Sequence, residues 1–170
     1  MTKEDMLPFV QYLTYGDLSV VRIPKAASQS MYSAIGNYKA FNLRDNPPKN
    51  VIAFIRDWMD RLVSAFQFFS DGTRYKGLEF PRQWEPFVDR VLDGPTNPHW
   101  IPQYEYVKWT PNVVLHPFEK LGQVWSDLGL PELPHRHKSV PGKDQPNGYR
   151  MSELESLFSE DAKMRTAWQL

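Results

Sequence analysis

Residues 18–30 read LSVVRIPKAASQS, and this stretch decides the fold that the rest of the sequence supports. Its first six residues are mostly apolar and β-branched and stop before Pro24, as a short strand does. Ser28 and Ser30 offer side-chain oxygens that can cap the first turn of a helix. Apolar residues then follow at helical spacing: Met31, Ala34, Ile35 and Tyr38. The stretch predicts a strand, a loop and a helix.

The same order recurs along the chain. Residues 51–55 (VIAFI) form a wholly apolar run, which suits a strand buried on both faces of a parallel sheet. Asp57 is placed to cap the next helix, with Asp60 three positions on, and Gly72 ends it. Four further elements are predicted: an amphipathic segment at 81–92, a strand at 112–116, a helix at 117–129, and a helix at 152–168 that opens with a capping box of Ser152 and Glu155.

Strands that alternate with helices predict parallel pairing through right-handed crossovers. We therefore expect an α/β fold, a three-layer sandwich with a short parallel sheet. One domain over residues 1–170 is expected, because the length of 170 residues is close to that of a typical domain. Ligands in such sheets lie beyond the carboxyl ends of the strands. The loops at 24–30 and 56–57 leave strands at such ends, and they lie side by side if the two strands are neighbours.

The composition excludes several classes of protein. Lys and Arg together number 20, as do Asp and Glu, so no basic nucleic-acid module is indicated. Cysteine is absent, which excludes disulfides, thiol nucleophiles and thiolate zinc sites. No apolar run approaches the ~18 residues of a membrane span, and the first residues do not resemble a signal peptide. We therefore expect a soluble, cytoplasmic protein.

The loop at 24–30 has the chemistry of an anion cradle. N–H groups at a helix N-terminus favour an anion, and small residues let it approach. Lys25 adds a full positive charge. The loop is not the nucleotide P-loop of kinases, because G-x-x-x-x-G-K-[ST] is absent. An ordinary strand-to-helix turn with a solvated lysine is the alternative interpretation.

A second polar group begins where the second predicted strand ends, in the segment RDWMDRLVSAF at 56–66. Its polar residues follow i, i+3, i+4, i+7 spacing and so share one helix face: Asp57, Asp60, Arg61 and Ser64. This face could present a guanidinium and a hydroxyl to a second anion. A solvated face with internal ion pairs is the alternative.

Together the two segments resemble the nucleotide-binding motifs of sulfotransferases that use 3′-phosphoadenosine 5′-phosphosulfate (PAPS). IPKAASQS at 23–30 resembles their 5′-phosphosulfate loop, P-K-x-x-S/G-T-S, and RDWMDRLVSAF resembles their 3′-phosphate motif, R-D-P-x-x-R-L-x-S-x-F. Weaker similarity to the membrane-type carbohydrate sulfotransferases and their bacterial and viral relatives spans most of the chain. It lies in segments 97–103, 118–121, 133–139 and 158–161.

This resemblance implies a P-loop NTPase-like sulfotransferase architecture. It also implies transfer of a sulfuryl group from PAPS to a hydroxyl or amine of a carbohydrate-like or other acceptor, leaving 3′-phosphoadenosine 5′-phosphate (PAP), with no metal ion required. The residues that it implies at the donor are Lys25, Ala26, Ala27, Ser28, Gln29 and Ser30 at the 5′-phosphosulfate, Arg56 and Ser64 at the 3′-phosphate, and Lys138 and Ser139 closing over the donor from the C-terminal loop.

Two positions depart from the family pattern. Gln29 stands where the family usually has Thr, which removes a hydroxyl at the 5′ end. Trp58 replaces the usual Pro at the helix start, where only a pre-set φ is lost. Neither change removes a charged group, so the expected charge complementarity to the donor is kept.

The expected reaction assigns roles to a lysine and a histidine. The phosphate oxygen of the leaving group gains negative charge, so Lys25 would act in the transition state. The acceptor must lose a proton, and His99 is the first choice of base, with a structural histidine as the alternative. Other candidate bases are His116, His135, His137, Glu79 and Glu85. A ring platform for the acceptor is a further hypothesis, and core or loop-anchoring aromatic residues are the alternative. The candidates are Trp84, Trp100, Tyr104, Tyr106 and Trp109.

Two other functions stay open at this point. An ATP-dependent small-molecule kinase lacks its Gly-Lys-Ser/Thr signature here and an evident Mg²⁺-holding Asp after an apolar strand. A non-catalytic nucleotide-binding or interaction protein of the same fold is compatible with Gln29 and with the unassigned base. The sequence names neither the acceptor nor the oligomeric state.

Overall fold

The computed structural model describes residues 10–36, 38–39, 48–70, 81–94, 97–110, 112–134 and 147–167. Within them, one five-stranded sheet has the strand order β3-β1-β2-β4-β5. The strands are β1 (Tyr12–Tyr15), β2 (Leu18–Val21), β3 (Tyr38–Lys39), β4 (Asn50–Ile55) and β5 (Val113–Pro117).

Three of the strands form the parallel part of the sheet. β2 pairs with β4 in parallel, with Val20 opposite Ile52, and β4 pairs with β5 in parallel. The α/β class and the parallel pairing of these predicted strands are therefore confirmed. Their carboxyl ends share one edge of the sheet, which is where the two polar loops were expected to meet.

The predicted short parallel sheet is only part of the observed sheet, which is mixed. β1 pairs antiparallel with both β2 and β3. Gly16 and Asp17 form the turn that joins β1 to β2, and Gly16 has a φ of 57°. A connection of two residues is too short for a crossover, so it imposes antiparallel pairing.

Seven α-helices lie within the described residues. They are α1 (Ser28–Ile35), α2 (Trp58–Ser70), α3 (Trp84–Asp93), α4 (Gln103–Val107), α5 (Leu121–Asp127), α6 (Met151–Leu157) and α7 (Ser159–Thr166), with a 3₁₀ turn at Phe118–Lys120 before α5. None of the helices in these ranges is long and apolar enough to cross a membrane.

Helices cover both faces of the sheet. Val51, Ala53 and Ile55 of β4 point to one face, where they pack with Tyr106 of α4 and Met164 of α7. Ile52 and Phe54 point to the other face, where α1 and α5 contribute Met31 and Trp125. Alternation along a strand with apolar residues on both sides gives the expected three layers.

A separate hydrophobic cluster holds together the helices that follow β4. It joins α2, α3 and α6 through buried apolar side chains, among them Leu62, Phe66, Phe69, Phe87 and Leu154. Truncation of Phe87, which is fully buried, to alanine should destabilise the fold by roughly 3 to 5 kcal/mol. The cluster therefore fixes the position of α2 relative to α3 and α6.

Some predicted helix ends are correct and others are not. Asp57 caps α2 as predicted, because its Oδ1 accepts the N–H groups of Met59 at 3.0 Å and Asp60 at 3.1 Å. Ser28 and Ser30 do not cap α1, since both lie inside the helix and Ala27 is the N-cap. Tyr38 belongs to β3, because α1 ends at Gly36.

The predicted helix at 152–168 is two helices. Phe158 breaks it with a φ of −100° and a ψ of 17°, which separates α6 from α7. No capping box forms, because the N-cap of α6 is Arg150 in the left-handed region without a side-chain hydrogen bond. The break lets Phe158 stack on Trp58 at a centroid distance of 5.1 Å while Asp161 faces α4. This stacking also gives Trp58 a packing role.

Candidate anion-binding site

The loop after β2 forms an open helix N-terminus. Met31 makes the first helical hydrogen bond, from its N–H to the carbonyl of Ala27 at 3.0 Å. No described residue accepts the N–H groups of Ser28, Gln29 and Ser30, and the Ala27 cap has no side-chain oxygen to offer them. N–H groups that are left this way at the positive end of a helix dipole favour an anion.

The same loop stores backbone strain. Lys25 has a φ of 66° and Ala27 a φ of 57°, in the left-handed region that residues with a Cβ usually avoid. Each costs about 1 to 2 kcal/mol relative to a right-handed conformation. Alternation between left-handed and other conformations turns successive N–H groups toward one side, which is the geometry of an anion-binding nest. The strain therefore coincides with the open N–H groups.

Arg56 lies beside this loop, as the pairing of β2 with β4 requires. Its Nη1 donates to the carbonyl oxygen of Lys25 at 3.1 Å, and its guanidinium lies 5.2 Å from the centroid of the Phe118 ring. Burial lowers the pKa of Arg56, and the carboxylates of Asp60 and Asp57 act in the opposite direction. The side chain is half-buried and charged, so it can add a second cation to the edge of the sheet.

Arg61 does not serve an anion, which corrects the expectation for the polar face of α2. It is 1% exposed, and its guanidinium is engaged by three backbone carbonyls. Its Nε donates to Pro24 at 2.9 Å, its Nη1 to Ile101 at 2.8 Å and its Nη2 to Pro98 at 3.3 Å. Arg61 therefore joins the loop after β2 to the 97–102 segment and holds the candidate site in place without lining it.

Lys25 lies near other cations and above an aromatic ring. Its Nζ is 3.7 Å from the centroid of the Phe68 ring. Burial, together with Arg56 and Arg61, lowers the pKa of Lys25 to about 8. No salt bridge joins Lys25 to a carboxylate within the described ranges. At neutral pH Lys25 is therefore mostly protonated, and no anionic side chain within the described ranges neutralises its charge.

His99 is brought to the same place. Its ring stacks on Phe68 at 5.6 Å and meets Phe69 edge-on at 5.0 Å. Burial lowers the pKa of His99 to about 4, with further lowering by Lys25, Arg61 and Arg22. The imidazole is therefore neutral at physiological pH.

Asn97 fixes the tautomer of His99. The backbone N–H of His99 donates to Oδ1 of Asn97 at 2.9 Å, which orients the amide. The Nδ1 atom of His99 lies 3.1 Å from the same oxygen. Because this oxygen only accepts, Nδ1 carries the proton and Nε2 keeps its lone pair. The geometry leaves Nε2 as the basic atom.

A buried network that the sequence did not reveal holds the backbone of Arg56. Gln103 Oε1 accepts the N–H of Arg56 at 3.0 Å, and its Nε2 donates to the Arg56 carbonyl at 2.7 Å. Asp161 accepts the backbone N–H groups of Gln103 at 2.9 Å and of Tyr104 at 2.8 Å. Burial raises the pKa of Asp161, opposed by these hydrogen bonds and by Arg61. Gln103 is the last residue of segment 97–103, and Asp161 is the last residue of segment 158–161. The weak resemblance of these segments to sulfotransferases was the only sequence signal for the two residues.

The remaining predicted site residues are distributed differently. Ser64 is half-buried on α2, one turn beyond Arg61. Lys138 and Ser139 lie outside the described residues, as do His135, His137 and Glu79. The two other candidate bases are part of other surroundings: His116 packs on Phe54 at 5.7 Å, and Glu85 accepts a hydrogen bond from Asn147.

The proposed ring platform is wrong for three of its five members. Trp84, Trp100 and Tyr106 are 7%, 2% and 0% exposed, so they are core residues and cannot stack on an acceptor. Tyr104 and Trp109 are half-buried. Among the described residues, no three side chains of the types that ligate metals lie together.

No protein-family model, no curated protein and no solved structure matches the chain. The candidate site is therefore defined by its geometry alone. It joins an open helix N-terminus, a lysine with no described carboxylate partner, an arginine from the neighbouring strand end and a neutral histidine.

Proposed function

We propose that the protein is a sulfotransferase that moves a sulfuryl group from PAPS to a hydroxyl or amine of an acceptor. The observation that carries the proposal is the hydrogen bond from Arg56 to the Lys25 carbonyl, because it brings the two motifs that resemble the family to one edge of the sheet. Under this proposal the fold is a P-loop NTPase-like sulfotransferase domain.

The described residues fit a donor with two separate anionic groups. The N–H groups of Ser28, Gln29 and Ser30, with Lys25, suit a 5′-phosphosulfate, because their donors have no described acceptor. Arg56 suits the 3′-phosphate, and Ser64 is assigned there by the motif. A second phosphate at this position distinguishes PAPS from ATP and ADP.

The chemistry follows from the protonation states. The donor supplies a sulfuryl group whose bond to the bridging phosphate oxygen breaks as a bond to the acceptor oxygen or nitrogen forms. Lys25 donates to that bridging oxygen, where negative charge develops. His99 takes the acceptor proton on Nε2, while Asn97 keeps Nδ1–H in place. PAP and the sulfated acceptor leave, and the scheme needs no metal ion.

Binding of the donor should adjust both groups to this task. An anion near Lys25 and His99 favours their protonated forms, so it raises both pKa values from about 8 and about 4. Lys25 then stays an ammonium at physiological pH, and His99 becomes a stronger base. The lowered pKa values of Lys25 and His99 in the free protein thus fit a site that is completed by its anionic ligand.

Thermal unfolding with PAP, ADP, and ATP with Mg²⁺ tests the proposal. PAP at 100 times its dissociation constant should stabilise the protein by about 2.7 kcal/mol, which for this length raises Tm by roughly 5 to 11 °C. Lys25→Ala and Arg56→Ala should lose this response. Lys163→Ala, which removes an exposed ion pair to Glu160, should keep it.

Transfer of label from ³⁵S-PAPS to a panel of sugars, amines and phenols then separates an enzyme from a binding protein. Turnover that disappears in Lys25→Ala supports the proposal. Stabilisation by ATP with Mg²⁺ but not by PAP would favour a kinase instead, and PAP binding without any turnover would favour a non-catalytic binding protein.

A further inference from the structure

Phe68 connects the two residues to which the proposed function gives chemical roles. Lys25 follows β2, and His99 lies in the loop before α4, so neither belongs to the helix that carries Phe68. The Lys25 ammonium is 3.7 Å from the ring centroid, and the His99 ring stacks on the same ring at 5.6 Å with an interplanar angle of 16°. Both contacts thus converge on one side chain.

The kind of contact matters for an anion site. A lysine in a half-buried position is usually held by a carboxylate, but a carboxylate would neutralise the ammonium and repel an anionic ligand. The face of an aromatic ring attracts a cation through its quadrupole and carries no net charge. Phe68 can therefore hold Lys25 in place without cancelling the charge that an anion needs.

The ring also shapes the surroundings of His99. Phe68 and Phe69 meet edge to face at 5.2 Å, and together they contact the imidazole from its face and from its edge. Trp100, which packs on Phe69 at 5.7 Å, continues this aromatic cluster into the core. The orientation of the imidazole therefore depends on α2 as well as on Asn97.

We infer that Phe68 is a positioning residue that holds the Lys25 ammonium and the His99 imidazole in register for the group transfer. The inference rests on the proposed function for the transfer itself, whereas the contact with Lys25 can be tested without any nucleotide. Phe68 touches neither donor nor acceptor in this scheme, so its effect passes through the other two residues.

The first test measures the pKa of Lys25 directly in the protein without ligand. Reductive ¹³C-methylation of the lysines gives one resonance per residue, and the Lys25→Arg variant identifies the Lys25 signal. In Phe68→Leu the apolar environment persists but the π face is lost, so the pKa of Lys25 should fall further, by roughly half a unit to one unit. Phe68→Tyr keeps the π face and should restore the value.

Other charged groups near Lys25 remain the same in these variants. Arg56 and Arg61 lower its pKa, His99 is neutral in this range, and Arg22 acts on His99 from the end of β2. Phe69→Leu is the matched control, because it removes an aromatic neighbour of His99 and leaves Phe68 beneath Lys25. It should leave the pKa of Lys25 unchanged. An unchanged Lys25 pKa in Phe68→Leu would overturn the inference.

The second test uses sulfuryl transfer. Phe68→Leu should lower kcat about 10-fold or more, with little change in KM for PAPS, because ground-state anion contacts come from the loop and Arg56. The alkaline limb of the pH profile of kcat should also move to lower pH, because it follows the pKa of Lys25. Phe68→Tyr should restore both kcat and the position of this limb. A lowered kcat with an unshifted limb would mean a merely structural role and would count against the inference.

The outcomes separate the inference from the proposed function. A shifted Lys25 pKa in Phe68→Leu, in a protein that does not bind PAP, would overturn the proposed function and leave the contact of Phe68 with Lys25 supported. PAP binding and turnover with an unshifted pKa would support the proposed function and overturn the role of Phe68.

Discussion

Arg61 Nε donates a hydrogen bond to the carbonyl oxygen of Pro24 at 2.9 Å, across 37 residues of chain. The residue that follows Pro24 is Lys25, whose left-handed conformation opens the loop toward the start of α1. A buried guanidinium on α2 thus determines where the candidate anion-binding loop begins. This relationship makes the loop dependent on a side chain that does not line it.

Substitution of Arg61 should destabilise the protein strongly. Arg61→Ala leaves the carbonyls of Pro24 and Ile101 without a side-chain donor, whereas the Pro98 carbonyl keeps the Tyr106 hydroxyl. We therefore expect the free energy of unfolding to fall by at least about 3 kcal/mol in urea titrations. Arg61→Lys should recover part of this loss, because an ammonium cannot match the fork of a guanidinium. The exposed control Lys163→Ala should change stability by less than about 1 kcal/mol. A small effect in Arg61→Ala would contradict the supporting role.

Two neighbouring alanines in the loop should respond in opposite directions to glycine. Ala27 has a φ of 57°, so Ala27→Gly relieves strain and should raise stability by about 0.5 to 1 kcal/mol after the added entropy of the unfolded chain. Ala26 is fully buried, so Ala26→Gly should lower stability by about 1 kcal/mol. Chemical denaturation of the two variants side by side measures the difference. Loss of stability in both would argue against strain at Ala27.

Removal of the Lys25 charge should stabilise the fold and abolish anion binding. The folded pKa of about 8 lies below the ordinary 10.5, so the folded state penalises the ammonium. In the wild type, the free energy of unfolding should rise as the pH increases from about 8 to about 10.5, because only the unfolded chain still binds this proton. Lys25→Met should be more stable at pH 7 by about 1 to 2 kcal/mol. Its Tm should no longer respond to PAP.

Protonation of His99 should destabilise the folded state in mild acid. Its folded pKa of about 4 lies below the ordinary 6.5, so the unfolded chain takes up the proton first as the pH falls. The contribution of His99 is complete above about pH 6.5 and is lost toward pH 4, by at most about 3 kcal/mol. The difference in unfolding free energy between the wild type and His99→Gln, measured from pH 7 to pH 4, isolates this term from the carboxylates. A flat difference would mean that His99 titrates normally.

The parts of the fold that depend on local patterns were predictable. The apolar run at 51–55 became β4, and Asp57 became the cap of α2, since both signals act within a few residues. The hairpin of β1 and β2 was missed although Gly16 and Asp17 are a recognised two-residue turn signal. Tyr12–Tyr15 preceded them as a short β-prone run, so this element was within reach of the sequence.

The parts that depend on distant contacts were not predictable. Ser28 is a good N-cap by residue type, but the chain enters α1 through Ala27 in a left-handed conformation, and this moves Ser28 into the helix. Phe158 separates α6 from α7 and stacks on Trp58, a contact that no local pattern encodes. The spacing of Arg61 predicts a surface residue. Its side chain is nevertheless buried and donates to three backbone carbonyls of other segments. For the site, Lys25, Arg56 and His99 were named from the sequence, and their neighbours Phe68 and Gln103 required the structure.

The network of Gln103 and Asp161 has a consequence for how the protein acquires its site. The hydrogen bonds from Arg56 to Gln103 and from Gln103 to Asp161 span 47 and 58 residues of chain. Closing loops of this length costs entropy before the contacts form, so we expect these bonds to form late in folding. A nascent or partly folded chain would therefore present β2 and β4 without a competent Arg56. Binding of an anion would then require that the C-terminal helices have docked. Amide exchange should therefore slow on ligand binding in β4 and also in α7, which lies far from the loop in sequence.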